Sequence, residues 1–228
     1  MIHALILSVV VSLSTLPFVG GQTAGTTTTT WDCCEPACGY TSNLSPGAKG
    51  PVKSCNQSNG PAAAVRKMRA SRALATSRSR ARPTSRSSSI VPFPTASQAR
   101  KHCHGNCCMC YEFTWTSGAA AGKSMIVQAI NAGGITDVDF DIYTPGGGVG
   151  DYNACTAQYG APSGGWGRQY GGVTSDSQCS ELPSNLQAGC HWRWEWAGGD
   201  VNEWDVTFKQ VNCPSQLTSI SGCTPASI

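Results

Sequence analysis

The sequence predicts a mainly β protein whose short strands form a closed or nearly closed barrel. Its 228 residues include 26 glycines and 13 cysteines but only 13% charged residues, a composition unlike that of coiled coils and helical bundles. Several short segments have strand periodicity, and glycine-rich turns such as residues 146–148 separate them. A barrel is favoured because closing a sheet removes its exposed edges. The length suits one domain.

The clearest strand signal lies between residues 109 and 115. The apolar side chains at positions 109, 111, 113 and 115 alternate with Cys110, Glu112 and Thr114, as in a half-buried strand. Further strands are predicted at residues 123–131, 138–143, 192–196 and 204–211. By contrast, residues 22–30 are interpreted as a polar lead-in and residues 31–60 as mostly loop.

Residues 1–21 are predicted to be a secretory signal peptide. An apolar run that begins at Ala4 is followed by the small residues Gly20 and Gly21. Export makes disulfides the default interpretation of the cysteines, although their odd number leaves at least one thiol unpaired within the chain. No later apolar run approaches the roughly 20 residues needed to span a bilayer, so an integral membrane protein is not expected. We therefore expect an extracellular protein with a single domain over residues 22–228.

Residues 62–104 differ in composition from the rest of the chain. Ten of the 16 basic residues lie between positions 66 and 101, and none of the 13 acidic residues does. The Arg/Ser-rich run 78–89 lacks strand and helix periodicity and has too little apolar surface to offset its ordering entropy. The segment is therefore predicted to be disordered. The export signal argues against a nucleic-acid-binding role for it.

Two aspartates are candidates for a glycosidase pair. Asp32 lies between Trp31 and two cysteines that could pin its backbone, and Asp141 lies just before the glycine turn 146–148. A glycosidase needs two carboxyl groups at a fixed separation, one to protonate the leaving oxygen and one to activate water or attack. From the pattern alone, the competing interpretation is that each aspartate supports a turn.

Two other sets of residues could carry chemistry. Segment 102–110 holds two histidines and four cysteines, which suit zinc or copper, but the spacing does not match a zinc finger and export favours disulfides. No metal is therefore expected. Aromatic side chains such as Tyr40 and Trp31 could dock on sugar rings, whereas the tryptophans of segment 192–196 are interpreted as core packing.

Residues 31–40, Trp-Asp-Cys-Cys-Glu-Pro-Ala-Cys-Gly-Tyr, resemble the N-terminal active-site signature of glycoside hydrolase family 45 endoglucanases. Further motifs resemble this family at residues 107–114, 116–118, 121–123, 140–142, 145–150, 170–172, 189–193 and 208–214. The motifs occur in the family's order and together cover residues 28–60 and 107–225.

The resemblance implies a six-stranded double-psi β-barrel with long disulfide-tied loops and an open cleft. It implies a secreted endo-β-1,4-glucanase that cleaves internal bonds of cellulose with inversion. Asp32 would be the general base and Asp141 the general acid with a raised pKa, their carboxyl groups about 6.5–9.5 Å apart. Tyr40 would be a platform for a sugar ring, and Trp31 is also predicted to bind substrate. No cofactor is implied, the partner is a β-1,4-glucan chain, and a monomer without a carbohydrate-binding module is expected.

The sequence departs from the family pattern at three places near the predicted site. Thr29 and Thr30 stand where an Arg-Tyr pair usually precedes the Trp-Asp pair. Ile135 stands where an assisting Asp usually begins a loop, and Asp137 is a candidate substitute in a loop that is one residue shorter. Asp139 occupies a position often held by His. These departures concern the cleft and the catalytic efficiency, while both principal carboxyl groups are present.

The resemblance also implies five disulfides, namely Cys33 with Cys155, Cys38 with Cys107, Cys108 with Cys223, Cys110 with Cys213, and Cys179 with Cys190. The family partners of Cys34 and Cys55 should lie within residues 62–104 and are absent, and Cys103 has no counterpart. We hypothesise that this segment is a reading-frame error or a mis-spliced exon, the alternative being a genuine disordered insert. Each disulfide typically stabilises a folded protein by about 2–4 kcal/mol, so the absence of two would destabilise this protein.

A non-hydrolytic function competes with the enzymatic one. Expansins share the barrel and bind or loosen glucans without hydrolysis, and they retain the acid-type aspartate. They generally lack the base-type residue in a Trp-Asp-Cys-Cys context, so Asp32 favours the enzyme. A defective family member is the third interpretation.

Overall fold

The computed structural model describes residues 21–53, 88–89, 106–131 and 139–226. Residues 1–20 of the predicted signal peptide and nearly all of the basic segment lie outside the described residues. The same is true of several residues singled out above, namely Cys55, His102, Cys103, His104, Ile135 and Asp137. The expectations for these parts of the chain remain predictions.

One mixed sheet organises the described chain. Its strands are β1 Thr23–Thr30, β2 Ser88–Ser89, β3 Cys110–Trp115, β4 Ser124–Gln128, β5 Asp139–Tyr143 and β6 Trp204–Val211. They lie in the order β2-β4-β3-β6-β1-β5, with β1 parallel to β5 and antiparallel to β6. Five strands have at least five residues, whereas β2 is a two-residue pairing with β4. No ladder joins β5 to β2 among the described residues, so the sheet there is open and the expected closure is not observed.

Four of the predicted strands are confirmed. Strands β3, β4 and β5 each lie within the segment that alternation indicated, and β6 has the predicted bounds. In β3 the side chains of Phe113 and Trp115 are buried, and the neighbouring Glu112 and Thr114 are less so. Local alternation locates these strands because one face of each packs on the core.

The interpretation of residues 22–30 as a polar lead-in is wrong, because this stretch forms strand β1 between β5 and β6. Threonine is polar, yet its β-branched side chain favours extended backbone. Thr27 and Thr29 are buried, and their hydroxyls donate to the carbonyls of Trp204 at 3.0 Å and Gly171 at 2.9 Å. Burial of these hydroxyls is tolerated because each one has a hydrogen-bond partner.

The helices are α1 Cys155–Tyr159, α2 Ser184–Trp192 and α3 Ser215–Ser221, with short 3-10 turns at Ala37–Gly39, Thr41–Asn43 and Asp176–Glu181. The predicted strand at residues 192–196 is wrong, because α2 continues into a π-helical turn, Arg193–Ala197. Trp192 and Trp196 stack with ring centroids 5.5 Å apart and an interplanar angle of 7°. A spacing of four residues puts two side chains on one face of a helix, and it also fits the alternation of a strand. The tryptophan pattern alone therefore does not distinguish a helix from a strand. Among the described helices, none has the length and apolarity to cross a bilayer.

The buried apolar side chains form two clusters. The first lies on the sheet around Phe113 and Phe140, whose ring centroids are 4.6 Å apart. The second lies among the loops and combines both cysteines of four disulfides with large side chains such as Trp31, Trp166 and Leu186. The loops beside the predicted site are therefore supported by covalent bonds as well as by apolar packing.

The structure contains all five disulfides that the resemblance implies. They are Cys33–Cys155, Cys38–Cys107, Cys108–Cys223, Cys110–Cys213 and Cys179–Cys190. Cys34 is a free cysteine in the described part of the chain.

Candidate active site

The parallel pairing of β1 with β5 brings the two predicted catalytic aspartates to one cleft. Asp141 lies on β5 in register with Thr28, and Asp32 lies two residues beyond the end of β1. Both aspartates line a cleft of about 440 Å³. Because neighbouring parallel strands end at the same edge of a sheet, the register itself places the two carboxyl groups near each other.

Hydrogen bonds from neighbouring and distant parts of the chain hold Asp32 in one orientation. Its Oδ1 accepts hydrogen bonds from the Tyr143 hydroxyl at 2.6 Å and from the Cys34 N–H at 2.9 Å. The Ala154 N–H donates to the Asp32 carbonyl oxygen at 2.8 Å. The adjacent Cys33 is disulfide-bonded and has a φ of 59°, a value that a non-glycine residue keeps only where its surroundings enforce it. The carboxyl group is thus oriented through both its side chain and its backbone.

Of the two cysteines that follow Asp32, only one forms a disulfide within the described part of the chain. Cys33 pairs with Cys155, whereas Cys34 is free and half-buried. Burial, reinforced by the negative charge of Asp32, raises the pKa of the Cys34 thiol to about 12. The thiol is therefore protonated at neutral pH and has little thiolate reactivity.

Asp141 lies in an environment that favours its protonated form. Burial raises the pKa of Asp141, and although the Thr28 hydroxyl that donates to its Oδ1 lowers this pKa, the charges of Asp32, Asp139 and Glu203 raise it further. A carboxylic acid that keeps its proton towards neutral pH can serve as a general acid.

A glycine turn at residues 146–148 packs directly against the end of β1. The Trp31 N–H donates to the Gly148 carbonyl at 2.7 Å, and the Thr30 hydroxyl donates to the same oxygen at 3.0 Å. A β-carbon on Gly147 would lie 2.6 Å from the Thr30 carbonyl carbon, closer than real β-carbons approach backbone atoms. The absence of a side chain at Gly147 therefore lets the turn set the path of the chain from β1 to Asp32.

Substitution of Gly147 by Ala should lower the free energy of unfolding by about 1–3 kcal/mol, because the methyl group must displace the backbone of Thr30. Chemical denaturation measures this loss, and activity should fall with it as the path to Asp32 shifts. Gly164→Ala is the matched control, since its added methyl group meets nothing within 4 Å. Equal stability of the two variants would contradict the packing role of Gly147.

The two aromatic residues predicted to bind sugar have different environments. Tyr40 is 47% exposed and accessible to a ligand, although it is not among the residues that line the cleft. Trp31 is only 1% exposed and packs against Tyr143 with ring centroids 4.7 Å apart. A sugar cannot stack on a buried indole, so the predicted substrate contact of Trp31 is corrected to a packing role. Adjacency to Asp32 in the sequence did not reveal the direction of the side chain.

Sequence reasoning missed two exposed aromatic residues on the wall of the cleft. Tyr152 is 73% exposed and Tyr170 is 64% exposed, and both line the cleft. The Tyr170 hydroxyl donates to Asp151 at 2.7 Å, which fixes its ring position. Flat, accessible rings of this kind suit stacking on sugars. The only sequence signal was that Tyr170 begins one of the motifs shared with the family.

A buried polar network supports the cleft from behind. Asn202 accepts a hydrogen bond from the Thr29 N–H at 2.9 Å and donates to the Gly171 carbonyl at 3.1 Å. Arg193 is fully buried and donates to the Thr29 hydroxyl at 3.0 Å and to the Gly146 carbonyl at 2.9 Å. Burial lowers the pKa of Arg193 to about 10, which still leaves it charged at neutral pH. These residues come from distant parts of the chain, so no local pattern could have identified the network.

One group of possible metal ligands occurs among the described residues, formed by Asp176, Cys179 and His191. The Cys179 sulfur is already bonded to Cys190, and Nδ1 of His191 lies 2.6 Å from Asp176. A disulfide sulfur is not a thiolate ligand. The group is therefore accounted for by a disulfide and a neighbouring hydrogen bond between His191 and Asp176.

Known proteins resemble this chain along nearly its whole length. Residues 24–224 match the family model described as "Glycosyl hydrolase family 45". An "Endoglucanase" of Cryptopygus antarcticus is 37% identical over 94% of this chain and 96% of the relative. A "Putative endoglucanase type K" of Fusarium oxysporum is 38% identical over 88% of this chain and 53% of the relative.

A solved structure has the same overall arrangement. The crystal structure of a cellulase from the Antarctic springtail Cryptopygus antarcticus matches with a TM-score of 0.75 and 33% sequence identity. The match covers 90% of this chain and 98% of that structure. The likeness therefore extends over most of both chains.

Proposed function

Because this chain belongs to glycosyl hydrolase family 45 and is an endoglucanase, we propose that it hydrolyses internal β-1,4 bonds of cellulose or a related β-glucan with inversion of the anomeric carbon. Asp141 is the general acid that protonates the oxygen of the leaving sugar. Asp32 is the general base that takes a proton from the attacking water.

One observation carries this assignment, namely that Asp32 and Asp141 line the same cleft in different environments. Asp141 is buried and its pKa is raised, as a proton donor requires. Asp32 accepts two hydrogen bonds on one oxygen, as suits a carboxylate that must hold its orientation. For inversion the two carboxyl groups should be about 6.5–9.5 Å apart, which leaves room for the water between Asp32 and the sugar.

The side chains of the cleft favour a neutral polysaccharide. Besides the two catalytic candidates, Asp151 and Glu203 line it, and the basic residue among the lining side chains, Arg168, is paired with Asp200 at 3.0 Å. An anionic polymer would be repelled by this excess of carboxyl groups. The exposed ring of Tyr170 offers an apolar face to an uncharged sugar instead.

The fold and the location of the protein are part of the same proposal. We infer that the sheet belongs to a six-stranded double-psi barrel, which the 0.75 TM-score to a cellulase structure supports. Secretion is supported by the predicted signal at residues 1–21 and by five disulfides, which persist in oxidising compartments. We also propose that the protein acts as a monomer on glucan chains.

The decisive experiment follows hydrolysis of cellohexaose by the purified secreted chain with proton NMR. We expect new reducing ends to appear first as the α-anomer, because direct attack by water on a β-linked sugar inverts the anomeric carbon. Viscosity of a soluble β-glucan should fall well before many reducing ends accumulate, as internal cleavage requires. A β-anomer appearing first would refute inversion, and binding to cellulose without reducing ends would instead support the expansin-like alternative.

A further inference from the structure

We propose that Tyr143 is a positioning residue for the general base, because its hydroxyl holds Oδ1 of Asp32 and leaves Oδ2 to receive the proton of the attacking water. This inference rests on the proposed function, since it assigns Tyr143 a role within that reaction. Neither the alternation of β5 nor the family motifs indicated such a role for this residue.

The hydrogen bonds of Asp32 are confined to one of its two oxygens. The Tyr143 hydroxyl lies 2.6 Å from Oδ1 and the Cys34 amide nitrogen lies 2.9 Å from the same atom. Among the described residues, none donates a hydrogen bond to Oδ2. A carboxylate held in this way keeps the rotation of its side chain fixed while one oxygen remains open to solvent or substrate.

Tyr143 approaches Asp32 from the protein interior. It is 6% exposed and is not among the residues that line the cleft. Its ring packs against Trp31, with centroids 4.7 Å apart and an interplanar angle of 42°. The register of the parallel pair places it opposite Thr30, two residues before Asp32. Tyr143 therefore acts on the reaction through Asp32 and does not touch the substrate.

The same strand also carries the proposed general acid. Asp141 and Tyr143 are two residues apart on β5 and so share a face, while Phe140 and Ile142 are buried on the other face in the sheet cluster. One rigid strand thus presents the acid directly and orients the base through a hydrogen bond. This coupling keeps the acid and the base in a constant relative position.

The Tyr143 hydroxyl acts only as a donor in this bond over any usual range of assay pH. Burial raises the pKa of Tyr143 well above its ordinary value, and the charge of Asp32 adds to this effect, while the backbone amide of Cys33 acts in the opposite direction. Other titratable groups also lie near the general base. Asp141 is on β5 and Cys34 is in the same loop as Asp32, while the cleft is also lined by Asp151, Arg168 and Glu203. Of these groups and Tyr143, the Tyr143 hydroxyl makes the 2.6 Å hydrogen bond to Oδ1 of the carboxylate.

Tyr143→Phe tests the proposal, since it removes the hydroxyl and keeps the ring that packs on Trp31. We expect kcat to fall about 10- to 100-fold with little change in KM, as for a misaligned catalytic group. Tyr111→Phe is the matched control, a buried tyrosine of β3 outside the cleft, and it should leave both kcat and KM unchanged.

A thermal cycle checks the hydrogen bond without relying on activity. Tyr143→Phe should lower the Tm of the wild-type protein by more than it lowers the Tm of an Asp32→Ala variant, because the alanine offers no acceptor. Equal losses of Tm in the two backgrounds, or a wild-type kcat for Tyr143→Phe, would overturn the proposal. An inactive wild-type protein would instead refute the proposed function, and the positioning role with it, whatever the cycle shows about the bond.

Discussion

Asp141→Asn should lower kcat/KM on cello-oligosaccharides by about 100- to 10,000-fold, the usual contribution of a general acid. Asparagine keeps the size of the side chain and can still accept from the Thr28 hydroxyl, but its amide has no acidic proton to transfer to the leaving oxygen. An aryl cellobioside with an acidic phenol should lose much less activity, because that phenolate departs without protonation. Steady-state kinetics on both substrates measures the difference, and a similar loss on both would contradict the role of general acid.

The pH dependence of the wild-type protein should identify the same group. The pKa of Asp141 is raised by burial, so its active, protonated form persists to higher pH than for an ordinary carboxyl group. Activity should therefore fall on the alkaline side as pH rises through this pKa, and this limb should be absent from the residual activity of Asp141→Asn. Asp205→Asn is the control, because Asp205 is exposed on β6 and outside the cleft.

Asp141→Asn should gain stability relative to the wild-type protein as pH rises, although it loses activity. A carboxyl group whose pKa is higher in the folded than in the unfolded protein stabilises the fold at low pH, and this stability is lost as pH rises through the folded pKa. Asparagine cannot ionise, so the variant avoids that loss. The Tm of the variant relative to wild type should therefore increase with pH. A difference in Tm that does not vary with pH would show that the charge of Asp141 does not destabilise the fold.

Asp32→Ala should abolish hydrolysis of natural and activated substrates to a similar degree, by about 100- to 10,000-fold. The base acts on water and not on the leaving group, so an acidic phenol gives no relief. This equal loss on both substrates distinguishes the base from the acid. Retained activity on cellohexaose would contradict the assignment of Asp32.

Azide should partly restore the activity of Asp32→Ala, because it needs no deprotonation. It forms a bond to the anomeric carbon from the face opposite the leaving sugar as that C–O bond breaks, and Asp141 supplies the proton to the leaving oxygen. The product should be an α-glycosyl azide, detectable by NMR, and a β-azide would contradict the direct displacement. Asp32→Asn controls for folding, since its amide oxygen can still accept from Tyr143 and Cys34, whereas the alanine leaves these donors without their acceptor.

Much of the architecture was predictable because the responsible signals are local. The alternation of apolar residues located β3, β4, β5 and β6, since each of these strands packs one face on the core. Motifs that cover both sides of Asp32 and of Asp141 predict them as the catalytic pair, and the structure places both in one cleft. The same resemblance implies five disulfides that form in the structure.

The errors have a common origin in contacts between distant residues. Strand β1 was missed because its threonines are polar in composition, and only long-range hydrogen bonds, such as Arg193 to Thr29, make their burial tolerable. The stretch 192–196 was misassigned because tryptophans at even spacing fit both a strand and a helix face. Trp31 was assigned to the substrate although its side chain packs on Tyr143.

By itself, the sequence determined the strand periodicity and the family and proposed the two carboxyl groups, because these depend on residue type and order. The tertiary structure decided what each carboxyl group can do. The raised pKa of Asp141 results from its burial and from neighbouring charges, and the orientation of Asp32 depends on a hydroxyl 111 positions away in the chain. Protonation and orientation depend on distance and desolvation in three dimensions, which residue order specifies only through the complete fold.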